Sequence, residues 1–189
     1  RGLPVIVGGP YVTSVPEDAE EAGADYIVMD EGEVTVPMML EDFRADPTWR
    51  RGEGEKARRY TALNKKPEMD TTPVARFDLL DLKAYDMMSV QYSRGCPFLC
   101  EFCDIINLYG RVPRTKPTEK LLAELQTLYD LGWRGGVFLV DDNFIGNKKN
   151  VKALLYELRD WQQERGNPFH FDTEASLDLA ADDEMLDLM

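Results

Sequence analysis

Short apolar runs alternate with amphipathic helical patterns along most of this chain. That alternation limits the possible folds more than any other feature. Val5-Ile6-Val7, Asp25 to Met29, Ser89 to Tyr92, Val137 to Val140 and Phe169 to Thr173 read as strands. Helical patterns run from Pro16 to Ala22, Thr35 to Arg44, Thr118 to Tyr129 and Lys148 to Arg165. Gly23, Gly132 and Gly166 act as stops, and Thr118 is placed to cap its helix. Pro37 is expected in the first turn of its helix, where its missing N–H does no harm. Leu121, Leu122, Leu125, Leu128 and Tyr129 share one helix face, and Val151, Leu154, Leu155, Leu158 and Trp161 share another. Strands without polar alternation, each followed by a helix, predict a parallel α/β sheet covered on both faces.

The rhythm breaks once. Residues 45–75 are rich in charge, Gly and Pro, and they read as a linker with one short strand near Tyr60. Charge changes sign there. Residues 1–50 carry 3 basic and 11 acidic side chains, 51–75 carry 6 and 4, and 76–189 carry 13 and 20. The reading is therefore 1–44 as the end of one α/β domain, 45–75 as linker, and 76–189 as the start of a second. Arg1-Gly2-Leu3-Pro4 leads straight into a strand and 182–189 reads as a helix cut in mid-pattern, so the chain is expected to be part of a longer protein. The net charge of −13 speaks against a nucleic-acid partner, which needs clustered Lys and Arg. No apolar run approaches the roughly 20 residues of a membrane span.

All three cysteines fall in one stretch, Ser93-Arg94-Gly95-Cys96-Pro97-Phe98-Leu99-Cys100-Glu101-Phe102-Cys103. An odd number packed so tightly is not a disulfide framework; it suits thiols kept reduced, as in the cytoplasm, and free for metal. Thiolates are soft ligands for iron–sulfur clusters or zinc. Three thiolates would leave one iron of a four-iron cluster open. The zinc alternative needs a fourth ligand, and His170 is the single histidine. The motif follows a strand, which puts it at the strand's carboxyl end, where parallel α/β folds keep their active sites.

Cys-x3-Cys-x2-Cys with an aromatic before the last Cys resembles the signature of the radical S-adenosylmethionine superfamily. The surrounding string, with Tyr109-Gly110-Arg111, Arg114 and Phe138-Leu139-Val140-Asp141-Asp142-Asn143-Phe144, resembles its cobalamin-binding branch, which includes hopanoid methylases and magnesium-protoporphyrin ester cyclases. Gly8-Gly9-Pro10 and Glu31-Gly32-Glu33 are similar to motifs that close the cobalamin domain there. The resemblance implies the end of a Rossmann-like cobalamin-binding domain followed by the first part of a (β/α) partial TIM barrel. It implies that Cys96, Cys100 and Cys103 ligate a [4Fe–4S] cluster whose open iron chelates S-adenosylmethionine, and that one electron cleaves the latter to a 5′-deoxyadenosyl radical. Phe102 would lie against the adenine, Asp141 and Asp142 would accept the methionine ammonium, and Glu174 would reach the ribose or methionine. Gly8 and Gly9 would let backbone approach cobalamin, most of whose site would lie outside the chain. The implied partners are a small-molecule substrate and an electron donor such as flavodoxin or ferredoxin. The implied reaction is C-methylation at an unactivated carbon, with oxidative cyclisation or a non-catalytic metal module as alternatives. Arg94, Arg111, Arg114 and Lys116 would put positive charge around the loop.

Overall fold

The computed structural model describes residues 2–63 and 65–189. The chain forms two compact units, one ending at Pro67 and the other beginning at Glu68.

In the first unit the order is β1 (Ile6–Gly8), α1 (Pro10–Ser14), α2 (Pro16–Glu21), β2 (Tyr26–Val28), α3 (Gly32–Ala45) and β3 (Arg58–Tyr60). The strands form a parallel sheet in the order β1-β2-β3. Central β2 is buried on both faces. Ile27 packs with Val12, Ala19, Ala24 and Ala57 on one side, while Tyr26 and Val28 pack with Met39 and Tyr60 on the other. That two-sided burial is why this strand shows no polar alternation. Helix α3 starts three residues before the expected Thr35, so Pro37 sits inside it and not in its first turn. The helix there lacks the N–H that would reach the preceding turn.

Residues 50–62, expected within the linker, are woven into this unit. Strand β3 is charged, and ion pairs and ring contacts hold it at the sheet edge. Arg59 pairs with Glu17 and Glu20, the Arg58 guanidinium lies 4.1 Å from the Trp49 ring centre, and the Tyr60 hydroxyl donates to Asp42 at 2.6 Å. The Asp25 carboxylate accepts from the N–H of Val5 at 2.8 Å and of Arg51 at 3.0 Å, and Asp30 accepts from Thr61 and Ala62. The boundary between units therefore falls near Lys65 and Lys66, in a stretch without helix or strand. Trypsin is expected to cut first at exposed Lys65, because Pro67 blocks cleavage after Lys66, with Arg58 and Arg59 protected. Mass spectrometry of the first fragments checks this, and initial cuts after Arg58 or Arg59 would show that β3 is not held.

The second unit opens with three single turns of 3₁₀ helix, at Met69–Thr71, Phe77–Leu79 and Leu82–Ala84. It continues with β4 (Met87–Val90), β5 (Ser93–Arg94), α4 (Ile105–Leu108), β6 (Arg114–Thr115), α5 (Thr118–Asp130), β7 (Gly136–Leu139), α6 (Lys148–Glu164), β8 (His170–Thr173) and α7 (Asp183–Leu188). Strands β4-β7-β8 form a parallel sheet in chain order, with Val90 level with Leu139 and Leu139 level with Thr173. Chain order equal to sheet order is shared by the opening of a (β/α) barrel and by one half of an open sheet. The expected inward faces are buried: Leu121, Leu125 and Leu128 of α5, and Val151, Leu154, Leu155, Leu158 and Trp161 of α6. Each such side chain contributes roughly 1.5–3 kcal/mol. Thr118 is not the cap of α5. Pro117 holds that position without a side-chain bond, whereas Asn147 does cap α6 by accepting from the Asn150 N–H. Among the described residues no helix is long and apolar enough to cross a membrane.

Candidate metal centre

The cysteine loop is closed at its root by two short strands. β5 and β6 pair antiparallel, Ser93 with Thr115 and Arg94 with Arg114, just beyond the carboxyl end of β4. Gly95 then turns the chain with φ +98°, and a Cβ there would meet the Gly110 carbonyl oxygen at 2.9 Å. Only glycine satisfies both the conformation and the close approach. The Cys96 N–H donates to Gly110 at 3.2 Å, and the Cys103 N–H donates to Cys100 at 3.1 Å. Gly146 lies beside the loop, where a Cβ would stand 3.0 Å from Pro113 and 3.4 Å from Pro97.

Three consecutive side chains after β7 fix the first residues of the loop. Asp141, 3% exposed, accepts from the Tyr92 N–H at 2.8 Å, the Ser93 N–H at 2.8 Å and the Ser93 hydroxyl at 2.7 Å. Asp142 accepts from the Gly95 N–H at 2.9 Å. The Asn143 amide nitrogen lies 3.9 Å from the Cys96 sulfur. Successive residues 141, 142 and 143 thus hold successive parts of 92–96. Burial pushes the Asp141 carboxyl up to about 6, against the opposing pull of its hydrogen bonds from Ser93 and Tyr92.

The structure redistributes several expected roles. Asp141 has both oxygens engaged by the chain itself, which makes it a brace for the loop. Phe102 is 92% exposed. Glu174 is exposed at the end of β8, one step beyond the level of Thr173, and its backbone carbonyl accepts from the Phe144 N–H. Arg94 donates to Gln91, Arg111 to the Pro97 carbonyl and Arg114 to the Tyr109 carbonyl, so all three stiffen the loop. Lys116 does not face the loop as free charge. It is buried with Glu124 at 2.7 Å, and burial raises the Glu124 carboxyl while Lys116 opposes the rise. His170 pairs with Gly136 at the amino end of the sheet, opposite the cysteines, which removes it as a fourth zinc ligand. In the first unit, a Cβ on Gly8 would meet the Val28 carbonyl oxygen at 2.9 Å, so strand packing itself demands that glycine. Gly9 has φ +108° with open space around it.

Sequence reasoning missed Ser93 and Ser176 and read Asn143 only as part of a motif. The one local signal was the Ser-x-Gly-Cys order at the loop root. Cys96 and Cys103 are half-buried, Cys100 is exposed, and none is in a disulfide. Among the described residues no group of three or more His, Cys, Asp or Glu is arranged to hold a metal ion. The donor chemistry nevertheless fits an iron–sulfur cluster: three unbridged thiols on one loop, rooted at the carboxyl end of a parallel sheet.

The chain is 58% identical, over 189 residues and 100% of its length, to an uncharacterized methyltransferase of Synechocystis sp.. It is 36% identical over 99% of its length to the hopanoid C-2 methylase of Rhodopseudomonas palustris. The chain is similar to a segment of these methylases. It spans 34% of the length of each, about a third of the whole proteins. A more distant relative, 28% identical over 77% of the chain, is the anaerobic magnesium-protoporphyrin IX monomethyl ester cyclase of Synechocystis sp.. No protein-family model matches the chain. These relatives are named as methyltransferases, as a hopanoid methylase and as a cyclase.

Proposed function

We propose that this chain is the cluster-binding part of a radical S-adenosylmethionine enzyme that methylates an unactivated carbon, with cobalamin as methyl carrier. The observation that carries the reading is the cysteine loop itself, three thiols on a segment braced at its root by the end of the neighbouring parallel strand. Cys96, Cys100 and Cys103 would hold a [4Fe–4S] cluster. When bound, the cluster supplies the electron that reductively cleaves S-adenosylmethionine. The rest of the work falls to the protein. Gly95 and the β5–β6 ribbon set the loop's exit, Asp141 and Asp142 fix its first backbone groups, and the three arginines stiffen it. Asp142 and Glu174 stand at adjacent strand ends, where the methionine and ribose parts of the cofactor would be recognised. In the first unit, the Gly8-Gly9 turn would approach cobalamin. A small lipid-like substrate and a flavodoxin- or ferredoxin-type donor complete the scheme. The likeness to a cyclase keeps a second reading, radical oxidation without methyl transfer.

Reconstituted with iron and sulfide without oxygen, the chain should take up about four of each and turn brown. Metal and sulfide analysis checks this, and a colourless protein holding one zinc and refusing iron would overturn the reading. Labelled methyl donor supplied to a chain of the relatives' full length separates methylation from cyclisation.

A further inference from the structure

We propose that the Asn143 carboxamide donates an N–H···S hydrogen bond to Cys96 that makes the bound cluster easier to reduce. The inference rests on the cluster reading above and adds a residue that acts through one of its ligands.

The orientation of the amide is fixed by its other end. The Asn143 side-chain oxygen accepts from the Ser176 N–H at 3.2 Å. A flipped amide would point its NH₂ at that N–H, donor against donor. The nitrogen must therefore face the other way, where it lies 3.9 Å from the Cys96 sulfur and 3.1 Å from the Ser176 hydroxyl oxygen. Asn143 is 4% exposed, so little water reaches its amide. Its backbone is held as well, since its carbonyl accepts from the Gly146 N–H at 2.9 Å. Asp142, the preceding residue, holds Gly95, the residue before Cys96. The two segments are thus tied side by side, and the amide cannot swing away without breaking several bonds.

The chemistry follows from charge. One-electron reduction adds negative charge to the cluster and to its thiolate sulfurs. A fixed N–H dipole aimed at one sulfur stabilises the reduced form more than the oxidised form, so it raises the potential. Cys100 is exposed and Cys96 half-buried, so a protein dipole aimed at Cys96 is less screened by solvent than one at Cys100.

The test is a redox titration of the reconstituted chain, followed by electron paramagnetic resonance, for the wild type and Asn143→Leu. Asn143→Ala, which also removes the donor without adding charge, serves if the Leu variant does not fold. Both should keep the wild-type iron content. At a fixed potential the ratio of reduced to oxidised cluster should fall roughly tenfold, equivalent to about 59 mV for one electron. A full cluster at unchanged potential in either variant overturns the role of Asn143 and leaves the cluster reading standing. A wild-type chain that takes up no iron overturns the cluster reading and this inference with it.

Discussion

Replacing Cys100 by Ala is expected to leave the second unit folded while abolishing its cluster. The Cys100 side chain is exposed and fills no core, so its loss costs little packing. The chemical cost is far larger. Three thiolates already leave one iron without a protein ligand, and two leave the cluster half-held. Iron and sulfide per chain should drop to background, with the far-ultraviolet spectrum unchanged. In a chain of the relatives' full length, formation of 5′-deoxyadenosine under a strong reductant should fall at least about a thousandfold, on the order of 4 kcal/mol in barrier. Cys96→Ala and Cys103→Ala should behave alike. Wild-type cleavage by the Cys100→Ala protein would show that the site has been misassigned.

The largest expected effect on stability is at Asp141. Truncation to Ala removes three hydrogen bonds and strands the N–H groups of Tyr92 and Ser93 beside a buried gap. At about 1–3 kcal/mol for each orphaned group, partly offset by relief of a buried charge, the net loss at pH 7 should be about 2–4 kcal/mol. The same carboxyl makes stability depend on pH. It titrates at about 6 in the folded chain against 3.8 when free of the fold. Below pH 3.8 it is protonated in both states and its contribution is fully present. Between about pH 4 and 6 the folded state holds the extra proton, so stability falls as pH rises, by about 3 kcal/mol in all. Above pH 6 that contribution is gone. Paired carboxylates such as Glu17, Glu20, Asp182 and Glu184, held below their usual range by their cations, push the other way. The decline should therefore be read as the difference between urea melts of the wild type and of Asp141→Ala at several pH values. A wild type that gains stability through that window by this group would contradict the assignment.

Much of the sheet could be read from residue order, and the reasons are specific. β2, β7 and α6 are buried along whole faces, so composition alone marks them. The sequence hid what depends on pairing. The short strand expected near Tyr60 is present, but its partners were not legible: Arg58-Arg59-Tyr60 has no apolar run, and Glu17, Glu20, Asp42 and Trp49 hold it at the sheet edge. The ribbon of β5 and β6 has two residues on each side, too few for any periodic signal. The cysteine motif was legible at once because its chemistry is local. The clamp of 141–143 on 92–96 was not, because its halves lie 47 to 49 residues apart. Asp141 shows the consequence. Two adjacent acids at a strand end suggested a ligand, and the fold turns the first inward onto backbone.

That separation has a bearing on the order of events during synthesis. The cysteines emerge from the ribosome well before Asp141, Asp142 and Asn143, so the nascent loop spends time with its thiols exposed and its root unfastened. At about 5–20 residues per second the interval is of the order of several seconds. Iron arriving then would meet three mobile thiols free to choose other geometries or oxidants. On the proposed cluster reading, orderly loading would wait until β7 has docked beside β4.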